Sequence, residues 1–176
     1  MSRDPARESL YKAWLEAHGG IIFKVTRSYS RTATEASDLR NELQLQLWNS
    51  IPAFSGASKE STWIYKVCLN TALGWRRDAD RRQGKVEPGV DLSRIAAGTH
   101  SPADSAQQNE ILEKLYACIH AMDPFDRGLV LLSLDAVPYR EIAEVTGLSE
   151  TNVGVALTRA RQRLTTLMKG VADELK

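Results

Sequence analysis

Apolar residues recur at helical spacing along most of the chain. Leu39, Leu43 and Leu47 form one stripe in the first half, and Val153 and Leu157 begin another near the end. Spacings of three and four residues put apolar side chains on one face of a helix. No strand-like alternation of apolar and polar residues extends beyond a few positions. The pattern therefore predicts an all-α fold.

The helical pattern stops between residues 84 and 107. The residues that break it are Gly84, Pro88, Gly89, Gly98 and Pro102. Glycine and proline clusters without an apolar period are typical of linkers. The sequence therefore predicts two small helical domains, residues 1–83 and 108–176, joined by a flexible linker over residues 84–107.

Local signals mark the helices of the first domain. Gly19 and Gly20 are candidates for a break or a bend in the first helix. Pro52 is expected to end the second helix, because proline cannot continue the hydrogen-bond pattern. Ser61 or Thr62 is expected to cap the third helix, since a side-chain oxygen there can accept from free backbone amides.

The second domain contains a helix-turn-helix pattern. Residues 139–145 form a short amphipathic stretch, residues 146–149 a turn, and residues 150–168 a longer basic helix. Gly147 can adopt the left-handed conformation that ends a helix, and Ser149 can cap the next one. A short helix, a tight turn and a longer helix in this order are typical of a DNA-binding helix-turn-helix.

The outward side of the last long helix carries residue types that read DNA. The candidates are Thr151, Asn152, Val155, Thr158 and Arg159. Asparagine can pair with adenine, arginine with guanine or phosphate, and valine or threonine can contact a thymine methyl group. The alternative is an ordinary helical hairpin whose arginines only solvate it.

The net charge is only +1, but the charge is unevenly distributed. Residues 59–85 carry seven bases and three acids, a net charge of +4, and residues 150–169 carry a net charge of +3. Between them, residues 86–107 carry a net charge of −2. Two basic stretches separated by an acidic one indicate two nucleic-acid contact surfaces. The alternative is that each basic stretch is a solvated helix face.

Several classes of chemistry find no support in the residues. Cys68 and Cys118 lie far apart inside apolar runs, and the three histidines are scattered. No metal spacing, phosphate-binding glycine loop or nucleophile–base pair is present, so we predict no enzyme, no cofactor and no metal site. The N-terminus is typical of neither a signal peptide nor a membrane span, so the expectation is a cytoplasmic protein without membrane insertion.

Two groups of residues resemble the conserved second and fourth regions of extracytoplasmic-function sigma factors. The first group is Asp38, Leu39, Glu42, Leu45 and Trp48, then Ile51-Pro52-x-Phe54-x-Gly56, then Thr62-Trp63-Ile64-Tyr65-Lys66-Val67, then Asn70. The second group is Pro138-Tyr139-x-Glu141-Ile142-Ala143, then Gly147-Leu148-Ser149, Val153 and Arg159-Ala160-Arg161-x-x-Leu164. Both groups fall in family order and cover most of the chain. The resemblance implies a subunit that directs RNA polymerase to promoters.

The resemblance also implies which partners the chain binds. The helix over residues 35–51 would dock on the clamp coiled coil of the largest subunit of core RNA polymerase. Its outward residues are Asp38, Asn41, Glu42 and Leu45. The alternative is that they form a solvated acidic face. The helix-turn-helix would read the minus-thirty-five element of promoter DNA near the polymerase flap, and an anti-sigma factor would hold the two domains together.

The loop over residues 54–61 and the helix after it would capture an unstacked base of the minus-ten element. The residues expected to contact this strand are Ser58, Lys59, Lys66, Asn70, Arg76 and Arg77. Extruding a base requires a few kcal/mol of unstacking energy, which pocket contacts and a basic groove would offset. Trp63, next to the loop, is expected to pack in the core.

One departure from the family pattern affects the second region. Residues 154–156 read Gly-Val-Ala where family members present a polar or basic run. Fewer phosphate contacts predict weaker and less salt-dependent duplex binding. This departure keeps open a relic that no longer reads DNA. The other alternative is a free-standing helix-turn-helix transcription regulator, although such a regulator would need no module like residues 35–70.

Overall fold

Seven α-helices make up the described part of the chain. The computed structural model describes residues 4–83 and 106–173, with side chains over residues 4–82 and 109–170. The helices are α1 (Pro5–Tyr29), α2 (Ala33–Ser50), α3 (Glu60–Gln83), α4 (Ala106–His120), α5 (Pro124–Leu134), α6 (Tyr139–Thr146) and α7 (Glu150–Asp173). No strand occurs within those ranges, which confirms the all-α prediction. Most of the expected linker, residues 84–105, lies outside the described residues.

The beginnings of α1 and α2 follow from side chains that accept from free backbone amides. The Asp4 carboxylate accepts from the amides of Ala6 and Arg7, at 3.1 and 3.3 Å. The Thr32 hydroxyl accepts from the amide of Glu35 at 3.1 Å. These contacts satisfy donors that have no partner inside the helix.

Two local expectations for the first three helices differ from the structure. Helix α1 is continuous through Gly19 and Gly20, because its flanking apolar residues are anchored in the core. Helix α3 begins at Glu60, so Ser61 and Thr62 lie in its first turn and the capping prediction was wrong. Pro52 does end α2, which continues only as a single 3-10 turn over Ile51–Ala53.

Helices α1, α2 and α3 pack against one another around a shared apolar core. Its fully buried members include Trp14, Val25, Leu39, Leu43, Leu47, Ile64, Cys68 and Ala72. The predicted stripe of α2 therefore faces inward, and the opposite side of α2 faces water.

Helices α4 to α7 form a second group in which α7 packs against α4, α5 and α6. Its buried members include Ile119, Leu129, Leu132, Ile142, Val153, Leu157 and Ala160. We call α1–α3 the N-terminal module and α4–α7 the C-terminal module.

The two modules are in direct contact. Helix α3 packs against α5 and α6, and α1 packs against α4 and α5. A Cβ atom on Gly128 would lie 3.2 Å from the Tyr29 hydroxyl and 3.4 Å from Leu69, so a glycine permits this close approach. The Tyr29 hydroxyl donates to the carbonyl oxygen of Pro124 at 2.6 Å.

Buried polar groups also join the modules. The Arg127 guanidinium donates to the carbonyl oxygens of Met122 and His120 in its own module, and to that of Ser28 in the other. The His120 Nε2 atom lies 2.8 Å from the Arg27 carbonyl oxygen and must donate to it, because a carbonyl only accepts. None of the described helices is long and apolar enough to span a membrane.

Candidate nucleic-acid and polymerase surfaces

Helices α6 and α7 form the predicted helix-turn-helix. Gly147 has φ +76°, the left-handed conformation that ends α6, and its amide donates to the carbonyl of Ala143. The Ser149 hydroxyl then accepts from the amide of Asn152 at 3.3 Å and caps α7. Both features match the expectation from the sequence.

The predicted reading residues share one exposed side of α7. Thr151, Asn152, Val155, Thr158 and Arg159 are all exposed, while the opposite side of the helix is buried. Val155 keeps 49% of its surface in water, where its methyl groups could contact a thymine methyl group. An edge with amide, hydroxyl, methyl and guanidinium groups has the chemistry of a major-groove reader.

The predicted polymerase face of α2 is open. Asp38, Asn41 and Leu45 are exposed, and Glu42, which is half-buried, accepts from the Gln46 side chain at 2.8 Å. Leu45 keeps 51% of its surface exposed between polar neighbours. Asp38, Glu42 and Leu45 follow one another at helical spacing, so this side of α2 presents two carboxylates and one apolar side chain.

Aromatic packing shapes the loop before α3. The Phe54 ring contacts Trp14 edge-on, with centroids 5.2 Å apart, and lies 5.6 Å from the Trp63 ring. The Trp63 indole donates to the Ser50 hydroxyl at 3.1 Å. Trp63 therefore supports the loop from below, and Ser58 and the exposed Lys59 stand at its end.

Three of the expected minus-ten contacts on α3 are exposed and one is buried. Lys66, Asn70 and Arg77 face water. Arg76 is only 1% exposed, and its guanidinium pairs with Asp80 at 2.7 Å and with Glu35 at 3.3 Å. The structure thus corrects the expectation for Arg76, because two carboxylates of the same module neutralise it in the interior.

The C-terminal module covers the beginning of α3. Glu141 of α6 accepts from the Thr62 hydroxyl at 2.8 Å and pairs with the Lys59 ammonium group. Asp135, which caps α5, accepts from the Tyr65 hydroxyl and pairs with Lys24 of α1.

These contacts change the titration of the groups involved. The hydrogen bond from Lys59 lowers the pKa of Glu141 below its usual value. Burial, and then the hydrogen bond to Asp135, raises the pKa of Tyr65. The lowered pKa of Glu141 favours its charged form, which is the form that accepts from both Lys59 and Thr62.

Sequence reasoning missed the residues that join the modules. The sequence predicts a helix cap at Thr62, places Glu141 only in a family motif and assigns no role to Asp135. The sequence holds only one indication of this contact, which is the opposite charge of two segments. Acids lie near the start of the helix-turn-helix, and a basic stretch begins at residue 59. Charge signs alone cannot pair residues that are about 80 positions apart in the chain.

Two known families match the two modules in order. Residues 14–82 match the Sigma-70 region 2 family, and residues 112–164 match the Sigma-70 region 4 family. The first match covers most of α1–α3, and the second extends from α4 into α7.

Curated bacterial proteins resemble the chain over most of its length. The extracytoplasmic-function RNA polymerase sigma factor SigG of Mycobacterium tuberculosis is 28% identical over an alignment that covers 98% of this chain and 53% of SigG. The chain therefore spans about half the length of that relative. The sigma factor YlaC of Bacillus subtilis is 26% identical, with 89% of this chain and 88% of YlaC covered.

Two solved structures share the fold. The sigma factor RpoE of Bartonella quintana, in complex with the anti-sigma factor NepR, superposes with a TM-score of 0.70 at 18% identity over 90% of this chain and 96% of RpoE. CnrH, in complex with the cytosolic domain of CnrY, superposes with a TM-score of 0.62 at 19% identity over 93% of this chain and 90% of CnrH.

The family matches, the relatives and the fold agree with one another. Both sigma regions are present in family order, and the residues predicted to contact DNA on α7 and polymerase on α2 are exposed except for the half-buried Glu42. The chain belongs to the extracytoplasmic-function family of RNA polymerase sigma factors.

Proposed function

We propose that this protein binds core RNA polymerase and directs it to specific promoters. In this role the N-terminal module binds the polymerase and the minus-ten element, and α7 reads the minus-thirty-five element. The protein acts by binding, with no catalytic step of its own. Its site of action is then the cytoplasm, where bacterial polymerase and DNA meet.

A single observation carries the proposal: one chain presents both an open acidic-apolar face on α2 and an open reading face on α7. A free-standing DNA-binding regulator needs only the second of these faces. Leu45 supplies an apolar contact for a protein partner, and Asp38 and Glu42 on the same side of α2 supply two charged ones. The clamp coiled coil of the largest polymerase subunit is the proposed partner of this patch.

The minus-ten strand would bind along the loop before α3 and along the exposed side of that helix. The proposed contacts are Ser58, Lys59, Lys66, Asn70 and Arg77. Hydroxyl, ammonium and guanidinium groups at these positions suit phosphates, and the Asn70 amide suits a base edge. Arg76 is left out of this set because its guanidinium is buried between carboxylates.

In vitro transcription tests the proposal directly. Purified protein and core polymerase would be incubated with a pool of promoter fragments from the host genome. Transcripts that require the protein are the expected result, and their start sites yield both promoter elements. Duplex DNA binding without any polymerase binding would instead support the free-standing regulator.

A charge-reversal variant tests the polymerase face. We expect Asp38→Arg with Glu42→Arg to abolish binding to core polymerase, because two repulsive charges would enter the centre of the patch. Glu16→Arg with Glu144→Arg makes the same change in net charge at exposed positions on α1 and α6, and should bind normally. Equal binding by the two variants would contradict the assignment of this face.

An anti-sigma factor is proposed as a further partner. Both solved structures that share this fold contain a second protein, named an anti-sigma factor in the case of NepR. Such a partner would suppress transcription in the same assay. Its sites would be the apolar and basic faces of the two modules.

A further inference from the structure

Two carboxylates of the C-terminal module hold donor groups at the start of α3. We call Asp135 and Glu141 the acidic clasp. Glu141 has 17% of its side chain exposed and Asp135 has 29%. Their partners are two ammonium groups, Lys24 and Lys59, and two hydroxyls, on Thr62 and Tyr65.

The donors in this cluster are those that commonly hold a nucleic-acid backbone. Lysine ammonium groups and threonine or tyrosine hydroxyls make many of the phosphate contacts in protein–DNA complexes. Here they meet carboxylates, which also bring negative charge and acceptor oxygens. A cleft of about 290 Å³ lies beside these groups, lined also by His18 and Ser61.

The cluster overlaps the proposed minus-ten surface. Lys59 ends the loop proposed to capture the strand, and it is the ion-pair partner of Glu141. Asn70, further along α3, borders a small gap that Phe125 and Thr146 of the C-terminal module close from the other side. A strand that follows this side of α3 would therefore meet the C-terminal module.

The two proposed DNA-binding surfaces are also too close together for one molecule to reach both promoter elements. The minus-ten and minus-thirty-five elements lie about 25 base pairs apart, or roughly 85 Å of duplex. Helix α6 touches α3, so the two reading surfaces are on modules in direct contact. One molecule in this arrangement cannot hold both elements at once.

We propose that the acidic clasp mimics DNA within the molecule. Asp135 and Glu141 accept from the donor groups at the start of α3 and compete for those groups with the minus-ten strand. The strand can bind once the C-terminal module moves away. The proposal rests on the proposed function for the identity of the strand. The clasp itself is a contact between modules and is testable without polymerase.

The affinity of the full-length protein for single-stranded DNA tests whether the acidic clasp competes with a DNA strand. The probe is a fluorescein-labelled, random-sequence single-stranded DNA 20-mer, titrated at fixed salt. We expect Asp135→Asn with Glu141→Gln to bind it about tenfold more tightly than the unmodified protein, because two charge-assisted contacts no longer hold the closed arrangement. Equal affinity would overturn the proposal.

A charge-matched control separates competition from general repulsion. Glu8→Gln with Asp123→Asn removes the same two negative charges at exposed side chains, one near the start of α1 and one at the start of α5, the opposite end of that helix from Asp135. It should bind the 20-mer within about twofold of the unmodified protein, since distant surface charges are largely screened. An increase equal to that of the clasp variant would overturn the proposal.

A distance measurement follows the movement itself. Spin labels would be attached to cysteines introduced at Asn49 on α2 and Thr166 on α7, both exposed. The native thiols can stay: Cys68 and Cys118 are buried, and burial raises the pKa of Cys68 to about 12. Saturating 20-mer should lengthen the distance, and should do so at lower concentration in the clasp variant. An unchanged distance at saturation would overturn the proposal.

The outcomes separate the clasp from the proposed function. If the clasp variant binds strands more tightly but the protein never supports transcription, the clasp stands and the sigma activity fails. If transcription depends on the protein but the clasp variant behaves like the control, the sigma activity stands and the clasp fails.

Discussion

The two basic helices, α3 and α7, differ in what their charges meet. The stretch that contains α3 has the larger net charge, +4 over residues 59–85 against +3 over residues 150–169. Yet Arg76 of α3 is buried among carboxylates and Lys59 is held by Glu141, while Arg159 of α7 is exposed. A larger net charge along the sequence therefore does not make every base of that stretch available, because Arg76 is internal although Lys66 and Arg77 of the same helix face water.

The difference follows from where each helix lies. Helix α3 contacts α1, α2, α5 and α6, whereas α7 contacts other helices only along one side. A charge buried in the middle of a packed structure must be neutralised there, because an unpaired buried charge is strongly destabilising. A charge on the free side of α7 needs no internal partner and can remain available to DNA.

The largest expected effect is the loss of stability when Arg76 of α3 is replaced, compared with the same replacement of Arg159 of α7. Arg76→Met should lower the free energy of unfolding by about 3–5 kcal/mol, because Glu35, with only 13% of its side chain exposed, would lose its contact with the buried guanidinium. Arg159→Met should change it by less than about 0.5 kcal/mol. Urea unfolding curves measure both. If both variants lost the same free energy of unfolding, Arg76 would not differ from Arg159 in its structural role, which would contradict the comparison of the two helices.

A second effect arises where the end of α4 meets α1. Burial, with the positive charge of Arg127 nearby, lowers the pKa of His120 to about 4, from an ordinary value of 6.5. The unfolded chain takes up this proton first, so stability should fall as the pH drops from 6.5 to 4 and level off below. The loss should total about 3 kcal/mol.

His120→Gln isolates this proton from the other titrating groups. Glutamine can still donate to the Arg27 carbonyl but does not titrate, so the variant should lose about 3 kcal/mol less than the unmodified protein over this pH range. The comparison is made at each pH by urea unfolding, where carboxylate effects common to both proteins cancel. Parallel pH profiles would contradict the assigned role of His120.

The third prediction concerns DNA, with the polymerase present. Asn152→Ala on α7 should lower promoter affinity by about 1–3 kcal/mol when the minus-thirty-five element is intact, and have no effect when it is scrambled. Arg77→Ala on α3 should weaken binding uniformly across sequences and reduce the salt dependence, as expected for a phosphate contact. Filter binding at several salt concentrations distinguishes the two patterns.

Local structure could be predicted from the sequence where a residue acts on its own neighbours. Gly147 and Ser149 set the turn of the helix-turn-helix, and Pro52 ends α2, because each acts within four residues of itself. The amphipathic stripes predicted α1, α2, α3, α6 and α7 and the open sides of α2 and α7 for the same reason, but they did not separate α4 from α5.

The partners of Arg76 and Thr62 could not be predicted from the sequence, because they lie far away along the chain. Arg76 meets Glu35 across 41 positions, and Thr62 meets Glu141 across 79. Thr62 was expected to cap α3, but its hydroxyl instead donates to a carboxylate from the other module. Nothing local to α3 specifies that partner, since it depends on how the two modules dock.

The smallest expected effect comes from a substitution at Gly154, which tests whether DNA needs a glycine at this position of α7. A Cβ atom there would lie 3.5 Å from the Tyr139 ring, an ordinary contact, so Gly154→Ala should stabilise the protein by about 1 kcal/mol through helix propensity. Ala156→Gly, on the same helix, is the matched control and should destabilise by a similar amount. Because Gly154 faces α6, we expect duplex affinity to stay unchanged in Gly154→Ala, measured by fluorescence anisotropy on a promoter fragment with polymerase present. A large loss of affinity would mean that DNA approaches the α7 backbone at this glycine, and that the reading face is wider than the five exposed residues.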